Sequence, residues 1–202
     1  MTSFSTQPEY CAVILAAGNS LRMQRQKFAL DFSEKKIFLD QITGDLKNAG
    51  CGHIEVVINK DGMALIENIN YKVPENTSFT INKYPEKGRF YSLQIALANI
   101  QSNTQVLIHN VDNPFINQNV IIALLKSIAD YDYIYPVFKE KGGHPVLISE
   151  KVAIRIKEEE NCDYNIKNYL SKFNGKTVEV DDDKILVNIN TPEDYKKYFG
   201  TK

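Results

Sequence analysis

The stretch that decides the fold is CAVILAAGNSLRM, which spans residues 11–23. Its first seven residues are apolar and end at Gly18, a pattern typical of a buried central strand in a parallel sheet. Small residues after such a strand let backbone N–H groups approach a phosphate, and Gly18 can adopt backbone angles that other residues avoid. We therefore predict a strand, a phosphate-binding turn and a helix beginning near Ser20. The same letters also fit an ordinary strand-to-helix connection.

Strand-like and helix-like segments alternate along the rest of the chain. Apolar runs predict further strands at residues 53–59, 78–82, 104–111, 132–138, 144–149, 176–180 and 184–189. Periodic apolar positions predict helices at residues 38–49, 62–69, 90–100, 119–128, 152–157, 165–173 and after Thr191. Gly142 and Gly143 lie between two closely spaced strands, which indicates an antiparallel excursion. The pattern predicts an α/β three-layer sandwich with a mostly parallel mixed sheet, whose ligands bind beyond the carboxyl ends of the strands.

Length and charge restrict the class of protein. The chain has 202 residues, 43% of them hydrophobic, so we expect residues 1–202 to form a single domain behind a flexible N-terminal segment at 1–10. A net charge of −1 gives no electrostatic argument for a nucleic-acid or membrane partner. The N-terminus lacks the basic and apolar regions of a signal peptide, and the three cysteines are scattered. We therefore expect a cytoplasmic protein.

Three charged residues follow predicted strands. Arg22 and Lys27 supply cations suited to a triphosphate and its leaving pyrophosphate, although surface cations would look the same. Asp112 directly follows an apolar strand, where a carboxylate suits Mg²⁺ but equally suits a turn leading into Pro114. The GxGxxG and GxxxxGK[ST] patterns are absent, which argues against Rossmann and P-loop nucleotide sites.

Five segments together resemble one family. LAAGNSLRMQRQK at 15–27 resembles the LAAGxSxRMGxxK signature of the molybdenum cofactor nucleotidyltransferases. GRFYSL at 88–93, HNVDNPF at 109–115, GGHPVLI at 142–148 and VNINTPEDY at 187–195 are similar to later motifs of that family, in the same order. The resemblance covers nearly the whole chain. It implies the nucleotide-diphospho-sugar transferase type of fold, which is glycosyltransferase-A-like.

The resemblance also implies roles for individual residues. The nucleotide is expected to contact Leu15, Ala16, Ala17, Gly18, Asn82, Gly88 and Ser92. The catalytic residues are expected to be Arg22, Lys27 and Asp112. Mg²⁺ is expected to bind Asp112 together with Asn188 or Asn190. His144 is expected to lie near the acceptor, although a histidine beside two glycines and a proline could simply cap a turn.

The implied reaction is Mg²⁺-dependent transfer of a nucleotidyl group from a nucleoside triphosphate to a phosphorylated small molecule. Molybdopterin is the leading acceptor by resemblance, and the LAAG form of the turn, rather than LAGG, favours CTP over GTP. One alternative is a sugar- or alditol-phosphate nucleotidyltransferase. Another is a nucleotide-binding paralogue that has lost catalysis. That alternative is suggested by Gln24, which replaces a family glycine, and by Asn188 and Asn190, which replace frequent aspartates.

Overall fold

The computed structural model describes residues 10–100 and 104–200, which form ten β-strands and seven α-helices. The strands are β1 (Tyr10–Leu15), β2 (Asp31–Ser33), β3 (Lys36–Ile37), β4 (His53–Asn59), β5 (Thr77–Asn82), β6 (Gln105–Asn110), β7 (Tyr133–Phe138), β8 (Lys141–Gly142), β9 (Val146–Ile148) and β10 (Gly175–Glu179). The helices are α1 (Phe38–Asn48), α2 (Lys60–Asn68), α3 (Gly88–Asn99), α4 (Gln118–Ser127), α5 (Glu150–Lys157), α6 (Ile166–Leu170) and α7 (Pro192–Phe199). The predicted flexible segment at 1–10 falls outside the described residues except for Tyr10, which is buried at the start of β1.

The main sheet has eight strands in the order β10-β7-β9-β6-β1-β4-β5, with β8 paired to β7. Strand β1 pairs in parallel with both β4 and β6, and the pairs β4–β5 and β7–β10 are also parallel. Strand β9 runs antiparallel to both β6 and β7. The mostly parallel mixed sheet and the antiparallel excursion after Gly143 are as predicted.

Helices cover both faces of the sheet because the central strands are apolar on both sides. Ala12 and Ile14 of β1 belong to a core shared with α1, α2 and α4. Val13 and Leu15, whose side chains alternate to the other face, belong to a core shared with α3, α5 and α6. This arrangement confirms the predicted three-layer sandwich. No helix in the described part of the chain combines the length and apolar character needed to cross a membrane.

A third, smaller core joins distant parts of the sequence beside the sheet. Met23 and Phe38 pack in one cluster with Val187 and Ile189. Aromatic rings extend the cluster, and the ring centroid of Phe38 lies 5.3 Å from that of Phe199 in α7. This cluster brings the segment before α7 against the segment after β1, and it therefore sets the position of the residues between them.

Two sequence predictions are wrong. The helix expected near Ser20 does not form, because Ser20 and Gln24 have φ of 49° and 53°, and left-handed residues cannot continue a right-handed helix. The strand expected at 184–189 is a 3-10 helix, Asp183–Leu186, followed by extended backbone. The Asn113 side chain donates to the carbonyl of Lys184 (2.9 Å), and isolated main-chain hydrogen bonds join His144 to Ile185 (3.0 Å) and Ile189 to Asp112 (2.7 Å), so the segment is fixed without a continuous strand pairing among the described residues.

Candidate functional site

A cleft of about 380 Å³ opens beyond the carboxyl ends of β1 and β6. Its walls comprise Leu15, Ala16, Ala17, Gly18, Asn19, Ser20, Leu21, Arg22, Lys27, Arg89, Ser92, Asn110, Val111, Asp112 and Asn190. Nine of these residues were predicted as site residues from the sequence, and they come from four separate motifs. Asn82, Gly88, His144 and Asn188 are outside the lining.

The turn after β1 is held by the neighbouring strand β4. The N–H of Ala16 donates to the carbonyl of Val57 (2.8 Å), and the side-chain amide of Asn59 donates to the carbonyl of Ala17 (3.3 Å). Gly18 is exposed, and a Cβ added there would meet nothing within 4 Å. Its φ is not in the left-handed region, so the backbone freedom expected from the sequence is not used, and the described residues would also leave room for a side chain at this position.

The charged centre of the cleft is formed by three side chains far apart in sequence. The Nζ of Lys27 donates to the Oδ1 of Asn190 at 2.6 Å and lies 3.5 Å from the Oδ2 of Asp112. The Lys27 and Asp112 side chains are only 15% and 18% exposed, so their attraction is less screened than that of a surface pair. The N–H of Ile189 donates to the carbonyl of Asp112 (2.7 Å), which ties the Asn190 segment to the end of β6.

The oxygens at this centre fit a hard divalent cation. The Oδ1 of Asp112 is buried and has no hydrogen-bond partner among the described residues. Mg²⁺ is commonly held by one or two carboxylates with substrate phosphates and water completing its shell, so Asp112 and the amide oxygen of Asn190 suffice as protein ligands. Asn188 is exposed, and its side chain donates to the carbonyl of Leu186 (3.2 Å). Of the two asparagines, Asn190 is the one at the centre.

A buried polar chain supports the opposite wall. The side-chain amide of Asn82 donates to the Oγ of Ser92 (2.9 Å), and that hydroxyl donates to the carbonyl of Gly88 (3.2 Å). Asn82 is buried and acts through Ser92, which does line the cleft. Gly88 begins α3 with φ of 83°, a left-handed conformation that favours glycine. Arg89 follows it and lines the cleft, where it adds a third cation.

His144 stands behind the cleft wall. The side-chain amide of Asn110 donates to the Nε2 of His144 (3.1 Å), and Asn110 lines the cleft. Burial lowers the pKa of His144, an effect that Asp112 opposes and Arg89 reinforces. The neutral ring therefore has a lone pair to accept the Asn110 hydrogen bond. A Cβ on Gly143 would lie 2.5 Å from the carbonyl oxygen of Ile185, so glycine is needed for this close approach.

Six lining residues were not predicted as site residues from the sequence, namely Asn19, Ser20, Leu21, Arg89, Asn110 and Val111. Each lies inside a motif that was recognised, and for the four polar ones the available signal was a polar side chain beside a motif residue. Arg89 was the most accessible to inference, because it is a cation in the first turn of the helix that carries Ser92.

Comparisons with known proteins agree with this fold. A probable molybdenum cofactor guanylyltransferase of Clostridium perfringens strain 13 is 29% identical over 203 residues, covering 95% of this chain and 96% of the relative. The molybdenum cofactor cytidylyltransferase of Escherichia coli K12 is 26% identical over 183 residues, covering 91% and 92%. The structure of Rv0371c of Mycobacterium tuberculosis H37Rv in complex with manganese has a TM-score of 0.76 at 16% identity and covers 96% of this chain and 100% of its own.

The family assignment follows from a match to most of the chain. The MobA-like NTP transferase domain matches residues 12–174, a span that includes every strand of the main sheet except β10 and the start of β1. The predicted family and fold class are therefore confirmed. The chain belongs to the MobA-like NTP transferase family and is a nucleotidyltransferase of that family.

Proposed function

We propose that this chain transfers the nucleotidyl group of a nucleoside triphosphate to a phosphorylated small molecule and releases pyrophosphate. The observation that carries the proposal is the meeting of Lys27, Asp112 and Asn190 in one cleft beside the small-residue turn at 15–18. That combination provides a cation for phosphates, oxygens for a divalent ion and a backbone open to a base or phosphate.

In the proposed step, an acceptor phosphate oxygen attacks the α-phosphorus, and the bond from that phosphorus to the pyrophosphate breaks. A phosphate nucleophile is already ionised at neutral pH, so the cleft needs no strong general base. Positioning and charge neutralisation carry the catalysis, as in other phosphoryl transfers. Arg22 and Lys27 neutralise the leaving pyrophosphate, and both line the cleft.

The proposed metal ion is Mg²⁺, held by Asp112 and Asn190. When bound, it would offset negative charge on the phosphates. Asn188 stays a weaker candidate for a ligand because its side chain is exposed and bonded to the chain itself. The manganese complex of Rv0371c supports divalent metal binding in this fold.

We propose molybdopterin as the acceptor and CTP as the donor. The names of the two relatives support the acceptor, and the LAAG form of the turn supports CTP, as does the E. coli cytidylyltransferase. GTP is the second candidate donor, because the C. perfringens relative is named a guanylyltransferase. The three scattered free cysteines support a cytoplasmic location, and the near-neutral charge supports a protein with neither nucleic acid nor membrane as a partner.

The test is pyrophosphate release with CTP, GTP, ATP and UTP, each with molybdopterin, with a sugar or alditol phosphate, and without acceptor. Release that requires both CTP and molybdopterin supports the full proposal. Release with a sugar or alditol phosphate, and not with molybdopterin, would show that the acceptor is the sugar or alditol phosphate. Nucleotide binding without release under any condition would favour the paralogue that has lost catalysis.

A further inference from the structure

The ammonium of Lys27 contacts both side chains that the proposed function assigns to the metal ion. It donates to the Oδ1 of Asn190 at 2.6 Å and lies 3.5 Å from the Oδ2 of Asp112. In this position the lysine is linked to the proposed metal site as well as to the proposed phosphate site.

Ammonium and metal ion compete for this position. Mg²⁺ binds oxygens at about 2.0–2.1 Å, so it cannot share the Asn190 oxygen with an ammonium hydrogen-bonded to the same atom. Two positive ions held within about 4 Å also repel each other strongly in a poorly solvated site. Binding of a divalent cation to the Asn190 oxygen thus requires Lys27 to leave that oxygen, and the repulsion between the two ions moves the ammonium away from Asp112.

The protein ligands alone are too few to drive that exchange. Within residues 10–100 and 104–200, no group of three or more His, Cys, Asp or Glu side chains is arranged to hold a metal ion. One carboxylate and one amide oxygen must displace a charge-assisted hydrogen bond and an ion pair. Phosphate oxygens change the balance in two ways, because they offer Lys27 another anionic partner and add ligands for the metal.

We infer that Lys27 is an exchangeable placeholder, which occupies the metal-side oxygens of Asp112 and Asn190 until a triphosphate draws it away and the divalent cation takes its place. The inference rests on the proposed function, since the triphosphate is the ligand that completes the exchange. It makes Lys27 the residue that couples metal binding to nucleotide binding. The protein without nucleotide then binds divalent cations weakly, and the buried Oδ1 of Asp112 remains available to the incoming ion.

The experiment is a titration of the nucleotide-free protein with Mn²⁺, followed by the electron paramagnetic resonance signal of the free ion. Lys27→Met keeps the length of the stem and removes the charge. We expect it to bind Mn²⁺ roughly tenfold or more tightly than the unsubstituted protein, because a positive charge about 4 Å from the metal position is gone. Lys27→Gln, which keeps a polar end, is a second variant and should show the same direction.

Arg22→Met is the matched control, because Arg22 lines the same cleft but has no ion pair with Asp112 among the described residues. It should change Mn²⁺ affinity by less than about threefold, the effect of a more distant charge. Adding Asp112→Asn to Lys27→Met should abolish the gain. Equal affinity for Lys27→Met and the unsubstituted protein would overturn the inference. Unfolding of both Lys27 variants, seen by circular dichroism, would also overturn it, because the ammonium would then be a fixed structural element.

Pyrophosphate release from CTP, measured on the same unsubstituted preparation, keeps the two hypotheses apart. A gain of Mn²⁺ affinity in Lys27→Met without turnover in the unsubstituted protein would support the exchange and contradict the proposed function. Turnover in the unsubstituted protein, with equal Mn²⁺ affinity for Lys27→Met and the unsubstituted protein, would support the proposed function and contradict the exchange.

Discussion

The two carboxylate oxygens of Asp112 have different surroundings. One faces Lys27 at 3.5 Å, and the other is buried without a hydrogen-bond partner in the part of the chain that the structure describes. The main-chain carbonyl of the same residue accepts a hydrogen bond from Ile189. The main chain of Asp112 therefore contributes to the fold, while its side chain can bind a ligand in the cleft without breaking that hydrogen bond.

We expect Asp112→Ala to lower turnover by about a hundredfold or more while the protein stays folded, because the charge that offsets the metal and Lys27 is lost. The measurement is pyrophosphate release together with circular dichroism. Asp132→Ala is the matched control, since Asp132 is also 18% exposed and ion-paired to a lysine but lies outside the cleft lining. Full activity of a folded Asp112→Ala protein would remove this residue from the mechanism.

Arg22→Ala and Lys27→Ala should each weaken triphosphate binding far more than monophosphate binding. Both cations are proposed to contact the outer phosphates, and each charge-assisted hydrogen bond contributes about 1.5–3 kcal/mol. The expected loss is roughly ten- to hundredfold for CTP and small for CMP, measured by isothermal titration calorimetry. Equal losses for CTP and CMP would show that these cations do not contact the outer phosphates.

Ala17→Gly should relax the preference for CTP over GTP. In the proposed function, the methyl of Ala17 takes space that a purine would need, although Ala17 is buried and belongs to the core on the α3 side of the sheet. One methyl discriminates by at most about 1–3 kcal/mol, or roughly ten- to two-hundredfold. A competition assay with all four triphosphates measures the shift. A preference for GTP or ATP in the unsubstituted protein would contradict the cytidylyl assignment.

At the scale of elements, the segment between β1 and the 3-10 helix Lys27–Ala29 replaces the expected helix with two tight turns. Its N–H groups at Met23 and Gln24 donate to the carbonyl of Ser20. These turns carry Arg22 toward the cleft and bury Met23 in the third core. The glycine that the family signature has at position 24 is explained by the φ of 53° found at Gln24.

Gln24→Gly should raise the free energy of unfolding by about 0.5–1 kcal/mol, because a left-handed backbone is strained for glutamine and not for glycine. Urea denaturation measures the change. Arg25→Gly is the control, since the neighbouring Arg25 is exposed and its φ is not positive. That variant should gain nothing, because glycine there only adds entropy to the unfolded chain. Equal or lower stability of Gln24→Gly would show that position 24 is not strained.

At the scale of the whole molecule, two histidines beside the cleft make the stability of the fold depend on pH. His109 is fully buried on β6, its Nε2 donates to the carbonyl of Asn113 (2.6 Å), and burial lowers its pKa to about 3. The ring of His144 lies 6.4 Å from it, and its pKa is also lowered by burial. Protonation of either ring is therefore unfavourable in the folded protein.

We expect stability to fall as pH decreases below about 6.5. Below this pH the unfolded chain binds a proton at His109, whereas the folded chain does not until the pH reaches about 3. The free energy of unfolding therefore decreases throughout the interval between these two pH values. A single such group contributes a slope of up to about 1.4 kcal/mol per pH unit. The measurement is urea denaturation at about pH 7, 6 and 5, the range in which histidine side chains titrate. His109→Gln, which keeps an N–H donor but does not titrate, should be less stable at pH 7 and show a shallower slope. An unchanged slope would contradict the assignment to His109.

The sequence by itself determined the sheet, the family and most of the lining of the cleft. Apolar runs such as residues 11–17 must be buried on both faces, and the residues that follow parallel strands must gather at one edge of the sheet.

Only the tertiary structure decided which asparagine reaches Lys27. The hydrophobic alternation of Ile185, Val187 and Ile189 predicted a strand, but it is satisfied by packing without a neighbouring strand. The chain path of that segment depends on the third core and on hydrogen bonds from Asn113, and these join residues more than 70 positions apart. Contacts across such distances leave no periodic signal in the sequence, because each depends on the final arrangement of the elements.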